Sequence, residues 1–174
     1  MARRRFSTNR VARKTGNLVW ITTIIEASIL EIAGFDIGDL VIPTDWGGDS
    51  GFDRCTLMGI RGWLGHVQQA TGTATDVSAL YLAIYVAGDS NAGAMAPGVA
   101  TDYTAYDVLW TGGGITTATA SSAQGNVIGE QLEVKARRRL TSAQQVRISA
   151  GLSSDTGTPR WKINGVLRCL VKTE

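Results

Sequence analysis

The apolar residues of this chain form segments of strand length rather than a helical pattern. Residues 18–25, LVWITTII, are rich in β-branched and aromatic side chains, which fit a pleated sheet better than a helix. Residues 77–87, VSALYLAIYVA, are almost continuously apolar, as expected of a strand covered on both faces. These two segments predict two strands, and the second belongs at the centre of the core.

Six further segments share this character. Residues 27–33 also fit helical spacing, but they are too short for periodicity to decide, and we interpret them as strand. In the predicted strand at residues 55–68, a glycine occurs at every third position, Gly59, Gly62 and Gly65, and these positions suit bends or bulges in a curved sheet. The remaining predicted strands are residues 55–68, 106–110, 127–140, 145–152 and 161–171.

Glycine, proline and small polar residues mark the predicted connections. Residues 43–53 and 88–105 are interpreted as long loops, and residues 112–114, three glycines, are expected to end the strand before them. Turns are predicted at residues 141–142 and 155–159. About eight antiparallel strands without a helix of two turns predict an all-β sandwich or barrel.

The size and composition fit one domain with one core. The chain has 174 residues, of which 44% are hydrophobic and 21 are glycine, which is too glycine-rich for a mainly helical fold. No apolar run of about 18 residues is present, so no membrane-spanning helix is expected. No apolar block follows the basic N-terminus closely, which argues against a secretory signal.

The charge is divided sharply along the chain. The formal net charge is only +2, but all six charges in residues 1–16 are positive. Residues 17–174 contain the other 11 of the 17 basic residues and all 15 acidic ones, so they carry a net charge of about −4. We therefore expect an arm at residues 1–16 and a separate domain at residues 17–174. The arm's basic residues are Arg3, Arg4, Arg5, Arg10, Arg13 and Lys14.

The arm is expected to be disordered when free and to bind a polyanion. Phe6 and Val11 are its only sizeable apolar side chains, too few to offset the entropy of ordering it. Guanidinium groups grip phosphate oxygens from two nitrogens, and about six phosphate contacts imply a salt slope near −4. A solvated charged tail and a mitochondrial transit peptide are the alternatives for the same residues.

This order of parts resembles the single jelly-roll capsid proteins of small icosahedral viruses, especially those with circular single-stranded DNA genomes. The resemblance covers the whole chain as an arrangement of parts rather than as a sequence motif. The segments that carry it are MARRRFSTNRVARK, RCTLMGIRGWLGHV, ALYLAIYVAGDS and LEVKARRRLTSAQQVRISAGL.

The resemblance implies a single jelly-roll sandwich that packs with copies of itself into a closed shell of about sixty subunits, a T=1 particle. The arm would point inward onto the genome, and six charges on each copy would bring about 360 positive charges to the interior. The resemblance also implies a virion location after synthesis in a host cytosol, with nuclear entry if the host is eukaryotic.

Two groups of charged residues outside the arm are candidate sites. Lys135, Arg137 and Arg139 alternate along a predicted strand and would share one face, with Arg138 on the other, and there they could add to nucleic-acid binding. The alternative is an exposed strand kept soluble by charge or by ion pairs. The predicted loop at residues 43–53 contains three carboxylates, Asp45, Asp49 and Asp53, which could hold calcium. Their spacing fits no calcium-loop pattern and favours a solvated acidic loop.

The five tryptophans could stack on bases, but most are expected in the core or at subunit contacts, with Trp46 the expected exception because it lies in a loop. Their positions are Trp20, Trp46, Trp63, Trp110 and Trp161. Cys55 and Cys169 are expected to be buried free thiols, although a bridge between them stays open.

An enzyme is not expected, and no cofactor or metal is predicted. His66 is the only histidine, which excludes a zinc site of several imidazoles, and packing within a strand explains it. The chain has no GxSxG, GK[ST] phosphate loop or CxxC motif. The alternatives to a capsid protein are a non-assembling β-barrel that binds single-stranded nucleic acid and a trimeric jelly-roll ligand or lectin.

Overall fold

A computed structural model describes residues 18–29, 35–43, 54–69, 76–88, 95–118, 127–154 and 160–173. Within these ranges the chain forms eight strands and one short helix. The strands are β1 (Leu18–Ile29), β2 (Phe35–Val41), β3 (Arg54–Gln69), β4 (Asp76–Gly88), β5 (Asp107–Ala118), β6 (Val127–Thr141), β7 (Gln144–Ser154) and β8 (Arg160–Thr173), and the helix is α1 (Ala100–Ala105).

The strands form two four-stranded antiparallel sheets, in the orders β1-β8-β3-β6 and β2-β7-β4-β5. The chain changes sheet at each connection except the one from β4 to β5. This strand order is that of an eight-stranded jelly roll built from two Greek keys. The predicted all-β sandwich of eight antiparallel strands is therefore confirmed.

The two sheets bury one apolar core because side chains alternate between the faces of each strand. In β8 the odd-numbered residues from Trp161 to Val171 point inward and are buried, and the even-numbered ones lie outside. Cys55 and Cys169 are buried in this core as free thiols, as expected. Burial raises the pKa of the Cys169 thiol to about 12, which makes it a packing residue rather than a nucleophile.

The first two predicted strands were wrong in their bounds. Residues 18–29 form the single strand β1, and the second strand is β2, which no sequence pattern predicted. Asp36 and Asp39 interrupt the apolar pattern of β2, so the sequence does not show this segment as a strand. In the fold, Arg147 of β7 neutralises both carboxylates, because its guanidinium donates to Asp36 Oδ2 at 2.6 Å and to Asp39 Oδ1 at 2.7 Å.

The predicted end of a strand at residues 112–114 was also wrong, because β5 continues through these glycines to Ala118. Gly113 has a φ of 129° and approaches the backbone at Leu80 too closely for a side chain. Its amide donates to Glu130 Oε1 at 2.8 Å. The glycines therefore provide close packing rather than a strand end.

Part of the predicted loop at residues 88–105 is helical. Helix α1 belongs to residues 95–106, which lie over the outer face of β4. The Met95 amide donates to the Tyr85 hydroxyl at 3.2 Å, and the Tyr106 ring meets the Tyr85 ring edge-on at 5.1 Å. Asp102 accepts the Ala96 amide proton at 2.8 Å. These bonds order a segment whose small residues carry no helical pattern.

The predicted bulge among the β3 glycines is confirmed. The register shifts between Leu57 and Gly59 against both β6 and β8. The turn between β6 and β7 falls at residues 142–143, one position later than predicted. The predicted turn at residues 155–159 and the loop at residues 44–53 lie outside the described residues.

His66 is buried beside Trp161, with 5.7 Å between the ring centroids. Neither imidazole nitrogen has a hydrogen-bond partner within the part of the chain that the structure describes. Glu130 Oε1 lies 4.0 Å from Nδ1, but it already accepts the Gly113 amide proton. Burial disfavours the imidazolium and lowers the pKa of His66. Packing thus explains this histidine, as expected.

Arg147→Ala should lower the free energy of unfolding by about 3–5 kcal/mol, because it leaves two carboxylates without their cation. The side chains of Asp36 and Arg147 are only 14% and 17% exposed. Arg61→Ala is the matched control, since Arg61 pairs with Glu133 on the open surface, and it should cost less than about 1 kcal/mol. Urea unfolding of both variants measures the difference. Equal losses would contradict the buried role of Arg147.

Stability should fall as the pH drops below about 6.5, where an unfolded-state histidine takes up a proton that folded His66 does not. The expected slope is at most about 1.4 kcal/mol per pH unit, and the contribution is fully present above that pH. Urea unfolding at pH 7.5 and 5.5 should show this loss in the native chain and a smaller loss in His66→Gln. Because the chain has one histidine, an unchanged pH dependence in the variant would exclude this origin.

Candidate nucleic-acid interface

The outer face of the β1-β8-β3-β6 sheet is strongly basic, and we call it the basic face. Ten basic side chains are described, and eight of them are exposed on this face. Among the acidic side chains that the structure describes, only Glu26 and Glu133 lie on the same face. The eight basic residues are Arg61, Lys135, Arg137, Arg139, Arg160, Lys162, Arg168 and Lys172.

Strand register places these cations side by side rather than apart. Arg61 of β3 lies directly opposite Arg168 of β8, an arrangement of like charges that costs stability. Two contacts offset this cost. Arg61 donates to Glu133 Oε1 at 2.8 Å, and the Arg168 guanidinium lies 5.0 Å from the centroid of the Trp20 ring. A surface that keeps opposed arginines suits an external anion.

The three residues proposed from sequence lie on this face. Lys135, Arg137 and Arg139 are exposed on the outer side of β6, which confirms that they share a face. Arg138 points to the opposite side of β6, as expected, and binds Asp107 of β5. The basic arm residues Arg3, Arg4, Arg5, Arg10, Arg13 and Lys14 lie outside the described residues, as do Asp45, Asp49 and Asp53.

Five members of the basic face were missed in the sequence. Arg61 lies between glycines in β3, where no alternation of charge marked it. The four in β8 do leave a signal, because each basic residue occupies an even position and the odd positions from Trp161 to Val171 hold only apolar residues or glycine. That alternation indicates an exposed basic face on β8. It does not show that this face is continuous with the basic residues of β6, because β3 lies between the two strands and its pairing with both is not evident from the sequence. The β8 residues are Arg160, Lys162, Arg168 and Lys172.

The acidic side chains of the sandwich are mostly engaged within it. The structure describes seven, and six have a bonding partner: Asp36 and Asp39 on Arg147, Asp102 on the Ala96 amide, Asp107 on Arg138, Glu130 on the Gly113 amide and Glu133 on Arg61. Arg138 and Arg147, the two described cations outside the basic face, are thus both paired. Within the described residues, basic side chains therefore outnumber acidic ones on one side of the protein, the basic face.

An exposed apolar row crosses the basic face. Register aligns Ile24, Val166 and Trp63 across β1, β8 and β3, and their exposed fractions are 38%, 41% and 51%. The other described tryptophans are more covered: Trp161 is buried, Trp110 packs against the core, and Trp20 lies beneath Arg168. Trp46, the expected exposed tryptophan, lies outside the described residues.

A cleft of about 130 Å³ lies on this face between Trp20, Arg61 and Lys135, below the usual size of a ligand pocket. In the described ranges, no group of three or more histidine, cysteine or acidic residues could hold a metal ion. The one described helix is neither long enough nor apolar enough to cross a membrane.

No family model matches the chain, and no curated protein matches it. Among solved structures, the T13 particle of infectious bursal disease virus matches 91% of this chain, with 10% identity and a TM-score of 0.45. The VP2 subviral particle of that virus matches 96%, with 10% identity and a TM-score of 0.40. This chain spans about a third of those two chains, 32% and 34%.

The Eiger TNF from S. frugiperda also matches, with 9% identity and a TM-score of 0.34 over 86% of each chain. Likenesses at this level do not separate a viral particle protein from a TNF. Function is therefore inferred from the strand order and from the charge of the site.

Replacing Lys135, Arg137 and Arg139 together by Gln should reduce the salt slope of binding to single-stranded nucleic acid by about 2, because three phosphate contacts are lost. Arg138→Gln is the matched control, since Arg138 is on the same strand but points away and binds Asp107. Anisotropy titrations between 50 and 300 mM salt measure the slope. An equal effect of the triple and control variants would show that the face itself is not the interface.

Proposed function

We propose that this protein is a capsid protein that assembles with copies of itself into an icosahedral shell and packages a nucleic-acid genome. The observation that carries the proposal is the segregation of charge. A six-charge arm precedes a jelly roll on which eight exposed basic side chains and two acidic ones share one face. This arrangement suits a shell protein, with one side for a polyanion and the remaining surface for its neighbours.

The jelly-roll strand order supports the same proposal, since this architecture recurs in viral capsids, although it also serves lectins and other binding proteins. A structural, non-catalytic role agrees with the residues described. Of the ionisable groups usual in catalysis, His66 is buried and burial lowers its pKa, while burial raises the pKa of the Cys169 thiol to about 12. The proposal places the protein in the virion.

In this proposal, residues 1–16 and the basic face act on the same ligand. Sixty copies would bring about 360 arm charges to the interior, six from each copy, and the excess of six on each basic face would add a similar number. Multiplicity supplies the avidity, so no single arm needs high affinity. The genome proposed from the sequence resemblance is single-stranded DNA.

The second candidate is a non-assembling module that binds single-stranded nucleic acid. The exposed Trp63 in the middle of the basic face favours it, because stacking platforms flanked by cations are typical of such modules. The two functions differ in assembly and not in ligand.

Size-exclusion chromatography with negative-stain microscopy separates the two candidates. The capsid proposal expects uniform hollow particles, because heterologous contacts with matched rotations close into a shell. A monomer or small ring at every salt concentration between 50 mM and 1 M would reject the capsid proposal and leave the binding module.

Deleting residues 2–14 should leave the unfolding transition unchanged and sharply reduce the nucleic acid that co-purifies, because the arm supplies six of the charges. The ratio of absorbance at 260 and 280 nm, with nuclease treatment as the control, measures the content. A deletion variant with the nucleic-acid content of the native chain would show that the arm does not bind the genome.

A further inference from the structure

We infer that Trp63 is a stacking platform for an unpaired base of a single-stranded polynucleotide bound to the basic face. The inference deepens the proposed function and rests on it, since it assumes that this face meets nucleic acid. It adds a contact with bases to a surface that would otherwise bind phosphates alone.

The indole of Trp63 lies over a pair of glycines. Gly65 of β3 and Gly129 of β6 are register partners, and both occupy the outer face beside Trp63. The ring atoms Cζ2, Cη2 and Cε2 lie 2.9, 3.1 and 3.7 Å from the position that a Cβ on Gly65 would occupy. Nε1 lies 3.5 Å from the corresponding position on Gly129. A side chain at Gly65 would crowd or displace the indole, whereas a Cβ at Gly129 would make ordinary contact with it.

About half of the Trp63 side chain stays open to solvent. Trp63 is 51% exposed, although it stands on β3, an interior strand of the sheet. An exposed indole on an interior strand normally carries a cost, because apolar area stays in contact with water. An exposed indole that packs on the sheet backbone can stack on a base, and every base offers a π face.

The neighbours of Trp63 complement the rest of a nucleotide. Arg61 and the opposing Arg168 lie one outward-facing position along the sheet, about 7 Å away at 3.3 Å per residue. They can bind the phosphates that flank a stacked base. Gln131 lies opposite Trp63 on β6, and Asn164 lies opposite Gly65 on β8. Their amides can both donate to and accept from base edges.

These features favour a single strand over a duplex. The base faces of a duplex are stacked on one another, so a duplex could use the cations of this face but not the indole. A single strand can use both. The stacking contact therefore predicts a preference that phosphate contacts alone cannot produce.

Charge complementarity favours a nucleic acid as the occupant of this face. Among the described residues, eight basic side chains and two acidic ones lie on the face, and each phosphate of a polynucleotide brings a negative charge to it.

The test measures fluorescence anisotropy of the full-length protein with labelled ten-nucleotide probes. The probes are an oligothymidine, an oligouridine, an abasic sugar-phosphate chain and a duplex of equal length. The native chain should bind the two base-bearing single strands about tenfold more tightly than the abasic chain. Trp63→Ala should remove that preference and leave affinity for the abasic chain within about twofold. The two base-bearing probes also report whether DNA or RNA is preferred.

Trp63→Phe should keep most of the preference, since phenylalanine still offers a ring, and it guards against a folding defect in the alanine variant. Ile115→Ala is the matched control, because Ile115 is 74% exposed on β5 of the other sheet. An undiminished preference in Trp63→Ala would overturn the inference. So would equal weakening on the base-bearing and abasic probes, or a changed oligomeric state with the preference intact, which would mark a contact between copies.

The two proposals fail differently. Normal binding to the abasic chain without any preference for bases rejects the stacking role and leaves the capsid proposal standing. Absence of hollow particles with the base preference intact rejects the capsid and leaves the stacking role.

Discussion

Every feature of the site depends on the strict alternation of side chains in strands that have one buried face. In β8, each odd residue enters the core, so each even residue must lie outside, and register with β3 and β6 fixes its neighbours. A slip of one residue would place Lys162 and Arg168 in the core and Trp161 in water. The energy that buries the core thus also fixes the pattern of charge on the surface.

The all-β class and the central position of β4 follow from the sequence, because apolar runs with β-branched residues report burial directly. The strand β2 does not follow from it. Its carboxylates, Asp36 and Asp39, look like loop residues until Arg147 neutralises them from β7, more than 100 positions away. The continuation of β5 past its glycines likewise depends on the close backbone of β4 and on the Glu130 carboxylate. Such long-range contacts leave no local pattern.

The candidate site divides in the same way. The sequence revealed the alternation of Lys135, Arg137 and Arg139 because it lies within one strand. The joining of these residues to Arg61 and Arg168 requires the strand order β8-β3-β6, which a single sequence does not specify. The exposure of Trp63 was hidden for a related reason. A tryptophan in an apolar strand predicts burial, and only the register with β8, in which Trp63 lies opposite the exposed Val166, places it on the outer face.

The ion pairs determine which side of the protein is positively charged. Arg138 and Arg147 are bound to carboxylates on the side away from the basic face. On the basic face, Arg61 binds the Glu133 carboxylate and the opposing Arg168 has only the ring of Trp20 among the contacts described. Repulsion on that face weakens the isolated protein slightly, and any polyanion that binds there relieves it. Binding and folding are therefore linked, since a ligand that prefers the folded state stabilises it by mass action. A protein selected for its own stability would have distributed these cations differently, whereas one selected to assemble on a polyanion gains from keeping them together.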